Sequence, residues 1–344
     1  MTEPVSIIML NYNGKQYLKD SISSVLSQSY KDFELIIFDN ASTDGSVEFI
    51  KNSFNDSRIK IIESEINFGF AWGNNSALKN CPNDLIVLLN NDTKAEKEWL
   101  YHLIQVMNEP KTIGSSFVIT EGVPEKYYIS NGSVSYLMYN IMNVFENTED
   151  EFYPNGCSII FRKSEIREPF DNDYFYYSED VYLGLKARFM GIKIKFVKKS
   201  VVHHYGGGSK SLNREKTFYQ ERNRLLNLYL FFSPGFIIRV LPYVAFNHNF
   251  KLLISFFSGK YSLIGLLKAY LWFYINIPTI IKKRKALKKF KTVKEKDVVK
   301  FISSKVFNDE SLIEKTINRI SYLYSRIAGI KPVEFYQKNK LPLN

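Results

Sequence analysis

Asn90, Asn91 and Asp92 close the apolar run Leu85-Ile86-Val87-Leu88-Leu89, and the switch from apolar side chains to two amides and a carboxylate is where chemistry is to be sought. An unbroken apolar run containing Val and Ile reads as a strand buried on both faces of a sheet. Open α/β sheets bind their ligands at the carboxyl ends of the strands, where the loops surround a crevice. Two other apolar runs end in the same way, Val5–Leu10 in Asn11 and Phe33–Phe38 in Asp39. If these strands are neighbours, Asn11, Asp39 and Asp92 converge. Asp39 can then accept from a base N–H or from ribose hydroxyls, and Asp92 can hold a divalent cation on phosphates. Taken singly, each is also an ordinary turn or cap former.

Two more groups carry chemistry. Glu179 and Asp180 follow the aromatic and acidic stretch Phe170–Tyr177 and open a helix through Val181, Leu183, Leu185, Ala187 and Phe189 to Gly191. Acids in a first turn are favoured by the helix dipole; the alternative is that one of them faces the crevice as a general base. His203 and His204 are two of only four histidines, adjacent at the end of the apolar Val201-Val202 and just before Gly206-Gly207-Gly208. Imidazoles there are candidate metal ligands. The glycines let the backbone approach a diphosphate, or let the segment close as a lid.

The elements that position these groups follow from periodicity. Strands are expected at Val5–Leu10, Phe33–Phe38, Ile59–Ile62 and Leu85–Leu89. Helices are expected between them, through Leu18, Ile22, Val25 and Leu26, from near Val47, and from about Asn74 to Leu78. Strand and helix alternate, which implies right-handed crossovers and a mostly parallel sheet. A further helix is expected over Lys97–Met107, with Trp99, Leu103 and Val106 inward. Residues 113–152 read as irregular, Pro154–Arg162 as a turn into a strand, and Ile192–Val197 as a half-exposed strand. No G-x-G-x-x-G or G-x-x-x-x-G-K loop opens the first helix, which argues against a dinucleotide-binding or P-loop protein.

The segments Ser6–Asn13, Phe38–Ser46, Asn67–Ala71 and Leu89–Asp92, in that order, resemble family 2 glycosyltransferases, and within them the rhamnosyltransferase-like enzymes of cell-surface polysaccharide synthesis. The resemblance implies the GT-A fold, a Rossmann-like, mostly parallel sheet with flanking helices, acting on a nucleotide-sugar donor (a dTDP- or UDP-sugar) with Mg²⁺ or Mn²⁺. It implies donor contacts at Asn11, Asn13, Asp39, Asn67, Gly69, Asn75, Asn90, Asn91 and Gly156. The family's metal motif is often Asp-x-Asp; Asn90 stands for its first carboxylate here, leaving Asp92 as the main ligand. By the same resemblance Asp180 is the base that takes the acceptor hydroxyl's proton, with Glu179 in support. A His before the Gly-Gly-Ser segment completes the metal site, His204 by register and His203 as the fallback. The implied division is a catalytic domain over 1–212, with its donor half about 1–95 and its acceptor half about 96–212, and a helical extension over 213–344.

Arg214–Phe232 reads as a helix, and its Arg222-Asn223-Arg224 is similar to a motif that follows the catalytic domain in this subgroup. Phe236–Ile281 is strongly apolar, yet Arg239, His248, Lys251, Lys260 and Lys268 interrupt it. A spanning helix needs about 20 predominantly apolar residues, so helices lying in the membrane surface fit better than a span. A helical subdomain packed on the catalytic domain is the alternative. Lys282-Lys283-Arg284-Lys285, with Lys288, Lys289 and Lys291, adds a basic cluster that an anionic leaflet attracts. This accounts for much of the net charge of +11 without nucleic acid. Residues after Val293 read as one or two amphipathic helices. Val5–Leu10 is too short, and lacks a basic lead, to be a signal peptide. The two cysteines form no ligand spacing, which suits a reducing compartment. The expectation is therefore an inverting, metal-dependent transferase at the cytoplasmic face of a membrane, with a saccharide acceptor, lipid-linked by preference. The rival readings are a sugar nucleotidyltransferase and a non-catalytic carbohydrate- or membrane-binding protein.

Overall fold

The computed structural model describes residues 3–123, 132–141, 144, 151–206, 213–257, 261–308 and 311–339. The chain divides into two compact units. The first comprises Met1–Ser130, Pro154–Leu183 and Lys193–Lys210; the second comprises Asn131–Tyr153, Gly184–Ile192 and Ser211–Asn344.

The first unit is an eight-stranded sheet in the order β3-β2-β1-β4-β9-β6-β10-β5. The strands are β1 (Val5–Asn11), β2 (Phe33–Asp39), β3 (Ile59–Glu63), β4 (Leu85–Leu89), β5 (Thr93–Ala95), β6 (Thr112–Thr120), β9 (Ser158–Arg162) and β10 (Lys193–His204). The helices are α1 (Lys15–Leu26), α2 (Ser46–Ser53), α3 (Gly69–Lys79) and α4 (Trp99–Gln105). The sheet is mixed where the sequence suggested a mostly parallel one. β3, β2, β1 and β4 run parallel, but β9 runs against both β4 and β6, and β5 runs against β10.

Strand period two sets the layers. Val5, Ile7 and Met9 of β1 join Leu18, Ile22 and Val25 of α1 and Trp99, Leu100 and Leu103 of α4 in one buried cluster. On the other face α3 comes close to β1 through Gly73, where a Cβ would stand 2.6 Å from Leu10 Cδ1. A side chain such as these gains about 1.5–3 kcal/mol on full burial, so α1, α3 and α4 are held to the sheet by packing.

Three elements differ from the sequence reading. α3 begins at Gly69, well before Asn74, because Gly69 takes a left-handed φ of 82° that turns the chain straight into the helix. β6 is a nine-residue strand in a stretch that reads as irregular; its Thr112, Gly114, Ser115 and Ser116 dilute the apolar signal. β10 joins two expected strands into one, with its register shifted between Val197 and Val201. Ser200 in that irregularity turns its hydroxyl inward to Ser116 Oγ at 2.9 Å and to the Trp99 carbonyl at 3.0 Å.

The second unit is helical: α6 (Asn213–Phe231), α7 (Pro234–Phe257), α8 (Leu263–Ile275), α9 (Ile277–Lys288), α10 (Glu295–Val299), α11 (Leu312–Ile327) and α12 (Val333–Lys338), with a two-strand hairpin of β7 (Ser133–Val134) and β8 (Asn140–Ile141). A further helix, α5 (Glu179–Met190), ends at Gly191, whose φ of 73° suits a C-terminal cap. Among the described residues no single helix is long and apolar enough to cross a membrane. α8 and α9 meet that measure only as a pair, bent by 67° at Asn276. α11 packs inside out. Asn318, Ser321 and Ser325 are buried, whereas Leu312, Ile313, Ile320, Leu323 and Ile327 are exposed.

Candidate active site

The ends of β4, β1 and β2 lie side by side and are joined through their side chains. Asn91 Nδ2 donates to Asn11 Oδ1 at 2.7 Å, and Asn11 Nδ2 donates to Asp39 Oδ1 at 2.8 Å. Asp39 also accepts from the Ser42 hydroxyl at 2.7 Å and from the Ser42 backbone N–H at 2.8 Å. Three of roughly four acceptor sites on this buried carboxylate are thus filled, which leaves one for a ligand. Asn13, at a left-handed φ of 50°, gives its backbone N–H to Ser42 Oγ at 2.9 Å and accepts the Thr43 N–H at 2.8 Å. One more carboxylate ties the loops: Asp44 accepts from Lys15 N at the start of α1 and from Ser46 N at the start of α2. Against its burial penalty, the bonds from Ser46 and Lys15 hold the Asp44 carboxyl below the usual range.

A second set fastens the segment after β3. Asn67 Oδ1 accepts from Asn40 Nδ2 and from Gly69 N, both at 2.8 Å. Gly69 leaves no room for a side chain, since a Cβ there would stand 2.4 Å from the Phe175 carbonyl, and Phe70 N bonds that same carbonyl at 2.8 Å. The amide of Asn75, expected among the donor contacts, is turned to the 170–172 loop instead, giving to Phe170 O at 2.9 Å and to Asn172 Oδ1 at 2.8 Å.

Beyond β4, Asp92 Oδ1 stands 3.2 Å from His204 Nε2. The pairing is a consequence of register: β5 leads away from Asp92 and pairs Thr93 with His204. His203 falls on the other face of β10 and meets the exposed Glu96 at 3.2 Å. Tyr205 anchors the strand end. Its N–H bonds Asp92 O at 2.9 Å, its hydroxyl gives to Asp20 at 2.8 Å, and its ring stacks on Tyr17. A carboxylate oxygen with an imidazole nitrogen suits Mn²⁺ better than Mg²⁺, whose shell is built from oxygens. No group of three or more His, Cys, Asp or Glu side chains joins them among the described residues, so the shell would be completed by donor phosphates and water. The donor set therefore fits the ion that the resemblance implies.

Glu179 and Asp180 follow two consecutive left-handed residues, Tyr177 at φ 68° and Ser178 at φ 62°. Such positions are strained for non-glycine residues and collect at functional sites. Asp180 Oδ1 accepts from Val181 N at 2.7 Å, and a Cβ at Gly156 would stand 3.6 Å from Asp180 Cβ. Gly156 is tied back to β4, since Asn90 N bonds Cys157 O at 3.0 Å; the Asn90 side chain has no partner among the described residues. Burial pushes the Asp180 carboxyl well above the usual carboxylate range. Burial and then the charge of Asp180 also raise Glu179, and Glu179 Oε2 has no hydrogen-bond partner among the described residues. The nearby Tyr176 hydroxyl is also raised, by burial and Tyr177 and then by the charges of both Glu179 and Asp92. One phenol thus feels the carboxylates at the end of β4 and at the start of α5.

Residues 6–168 match the sequence family described as Glycosyl transferase family 2. Over 196 residues the chain is 42% identical to the UDP-Glc:alpha-D-GlcNAc-diphosphoundecaprenol beta-1,3-glucosyltransferase WfgD of Escherichia coli, an alignment covering 53% of this chain and 68% of that protein. The chain belongs to glycosyltransferase family 2. The chain is also 26% identical over 209 residues to the glycosyltransferase GlyA of Streptococcus pneumoniae, covering 58% of the chain but only 30% of GlyA. Among solved structures it resembles the mannosyltransferase PcManGT of Pyrobaculum calidifontis in complex with GDP-Man and Mn²⁺. The TM-score is 0.52 at 14% identity, over 96% of this chain and 88% of that one. The fold of this glycosyltransferase is the GT-A-like one, a curled mixed α/β sheet with flanking helices.

Several site residues were not read from the sequence. Ser42, which fills Asp39, reads in the sequence only as part of a loop, three residues after the strand-end Asp whose carboxylate it bonds. Tyr205 gave no sign beyond following two histidines. Trp99 Nε1 gives to Ser116 at 3.0 Å and Ser158 at 2.9 Å, a buried network assembled from three separate elements. The Gly207–Ser209 part of the glycine segment lies outside the described residues.

Proposed function

We propose that this glycosyltransferase inverts: it moves a hexose from a nucleoside diphosphate to a hydroxyl of a lipid-linked saccharide, for surface polysaccharide assembly at the cytoplasmic face of a membrane. The observation that carries the reading is geometric: the turn at Gly156 lies against Asp180 and, through the bond from Asn90 N to Cys157 O at 3.0 Å, against the strand end that leads to Asp92, which supports a diphosphate side and a base side in one crevice.

Asp39 takes a base N–H or ribose hydroxyl on its remaining acceptor site, with Asn11, Asn13 and Asn91 fixing the loops around it. Asp92 and His204 would hold the cation. A bound Mg²⁺ or Mn²⁺ supplies Lewis-acid neutralisation of the leaving diphosphate. Asp180 accepts the acceptor hydroxyl's proton, and that oxygen bonds the anomeric carbon as the bond to the diphosphate oxygen breaks on the opposite face. One displacement inverts the centre. Burial raises both carboxyls and the charge of Asp180 raises Glu179 as well, so ionisation of Asp180 opposes a second ionisation beside it.

The relatives support parts of this reading. The name of WfgD states a UDP-glucose donor and a diphosphoundecaprenol-linked acceptor, and PcManGT was solved with GDP-Man and Mn²⁺. The motifs' likeness to rhamnosyltransferases adds dTDP-rhamnose to the donors worth trying. The exposed apolar faces of α7, α8 and α11 and the basic end of α9 support a membrane-facing second unit.

The test is a donor panel of UDP-glucose, UDP-N-acetylglucosamine, GDP-mannose and dTDP-rhamnose, with and without Mn²⁺, scored for nucleoside diphosphate release. One donor should be turned over with metal, and Asp180→Asn should remove about 10²-fold or more of transfer while leaving donor binding. Pyrophosphate as the product, or a retained anomeric configuration by NMR, would overturn the reading.

A further inference from the structure

The second unit contains a cavity of about 610 Å³ that the reaction above leaves unused. Its walls are chiefly apolar, with Pro242, Phe246 and Phe250 from α7 and Ile317 and Ile320 from α11. Phe246, Phe250 and Ile320 are also 59%, 37% and 61% exposed, so the cavity opens onto the apolar outer faces of those two helices.

One side of the cavity is charged. Lys251, buried and on the lining, gives to Glu221 at 2.6 Å. Glu221 also takes a bidentate pair from Arg224 and a bond from the Tyr270 hydroxyl at 3.3 Å. His248 faces the same carboxylate, but burial and the Arg224 charge push its imidazole down to about 4, so it is neutral. Two cations thus share one anion among the described residues, and the cluster keeps one positive charge in excess. Lys251 spends one of its three N–H donors on Glu221. Beside it, Asn247 is only 8% exposed. Its Oδ1 accepts from the Tyr139 hydroxyl at 3.2 Å, and its Nδ2 is buried with no partner among the described residues. Glu314, the one acid on the lining, is turned to the Ser311 N–H in the capping box of α11. An apolar sleeve edged by a buried lysine, from a cluster in which two cations share one carboxylate, and by an amide donor without a partner among the described residues matches an amphiphile that is itself divided in that way.

We propose that this cavity binds a single-chain lipid phosphate. The hydrocarbon lies along Phe246, Phe250, Ile317 and Ile320, and the phosphate meets Lys251 and Asn247 Nδ2. Free phosphate would waste the apolar walls, and a neutral hydrocarbon would leave the excess charge unanswered. That the lipid is the carrier of the sugar acceptor rests on the function proposed above.

The experiment titrates the full-length protein with farnesyl phosphate, farnesol and inorganic phosphate, read by equilibrium dialysis and native mass spectrometry. Farnesyl phosphate should bind one to one. Farnesol should bind at least tenfold more weakly, and phosphate should not bind. Ile317→Trp, which fills the sleeve, and Asn247→Leu, which removes the amide donor, should each weaken farnesyl phosphate at least tenfold; either one reports if the other does not fold. Equal binding of farnesol and farnesyl phosphate, no binding at all, or unaltered binding by a folded variant would overturn the proposal. Acceptor-independent donor hydrolysis in the same preparation separates the two claims. Donor turnover without lipid binding defeats the cavity alone, and lipid binding without donor turnover defeats the transferase reading and leaves the cavity standing.

Discussion

At the scale of the residue, the two histidines differ by one step along β10, and that step decides what each can touch. His204 meets Asp92 and His203 meets Glu96. His204→Ala is therefore expected to lower metal-dependent turnover at least about tenfold and to raise the Mn²⁺ concentration it needs. His203→Ala, which removes only an exposed pair, should stay near wild type in the same Mn²⁺ titration. Asp180 makes a second prediction, on stability. Its folded carboxyl sits above the ordinary value because burial disfavours the charge. The folded state then binds the proton more tightly than the unfolded chain, so its contribution is favourable at low pH and is lost as pH rises through the raised value. Asp180→Asn should accordingly be more stable than wild type at pH 7–8, with the gap closing towards pH 4, in thermal melts across that range. At this scale the sequence was legible where a polar residue ends an apolar run, as at Asn11, Asp39 and Asp92. It was silent where the partner comes from a distant segment: nothing beside Trp99 announces Ser116, Ser158 and Ser200.

At the scale of the element, the strands and helices of the first half follow their apolar period closely. β1, β2 and β4 are buried on both faces, so each reads as a plain apolar run. The departures have local causes. β6 is hidden by its small polar residues, which are there because the Ser115 hydroxyl oxygen accepts from Asn155 N and Ser116 accepts from Trp99. α3 starts early because one glycine does the turning. Gly69→Ala tests that element: the left-handed φ alone costs roughly 1–2 kcal/mol, and the clash with the Phe175 carbonyl comes on top. Urea unfolding should report a loss of at least about that size. Turnover should fall by more than the unfolded fraction explains, because the displaced 170–178 segment leads into Glu179 and Asp180.

At the scale of the whole molecule, the second unit breaks the rule that amphipathic helices hide their apolar stripe. The pattern of α11 is plain in the sequence, but which stripe faces in is not, since period alone carries no direction. Asn318 turns inward because it caps the chain at Val306 and Phe307, accepting both N–H groups and giving to the Phe307 carbonyl. The apolar stripe is left outside. With the basic residues of α9 it predicts binding to vesicles containing anionic lipid. Replacing Lys282, Lys283 and Lys285 by Gln should weaken flotation with phosphatidylglycerol vesicles by roughly 100-fold, at about 1 kcal/mol for each lysine. Raising the salt should weaken the wild type in the same direction. Equal binding to neutral and anionic vesicles would sink this prediction.

The bonds across the strand ends have a direction. Asn91 gives to Asn11, Asn11 gives to Asp39, and Asp39, which can only accept when ionised, terminates the run. A run with polarity tolerates a break more readily than a reversal. Asp39→Asn looks like a minimal edit, yet it sets an amide where Ser42 N and Asn11 Nδ2 both need an acceptor, and relieving that conflict would require both upstream amides to turn over together. The three positions are therefore mutational neighbours although they lie on two strands and in the turn after a third: a change at one alters which residues the other two can accept.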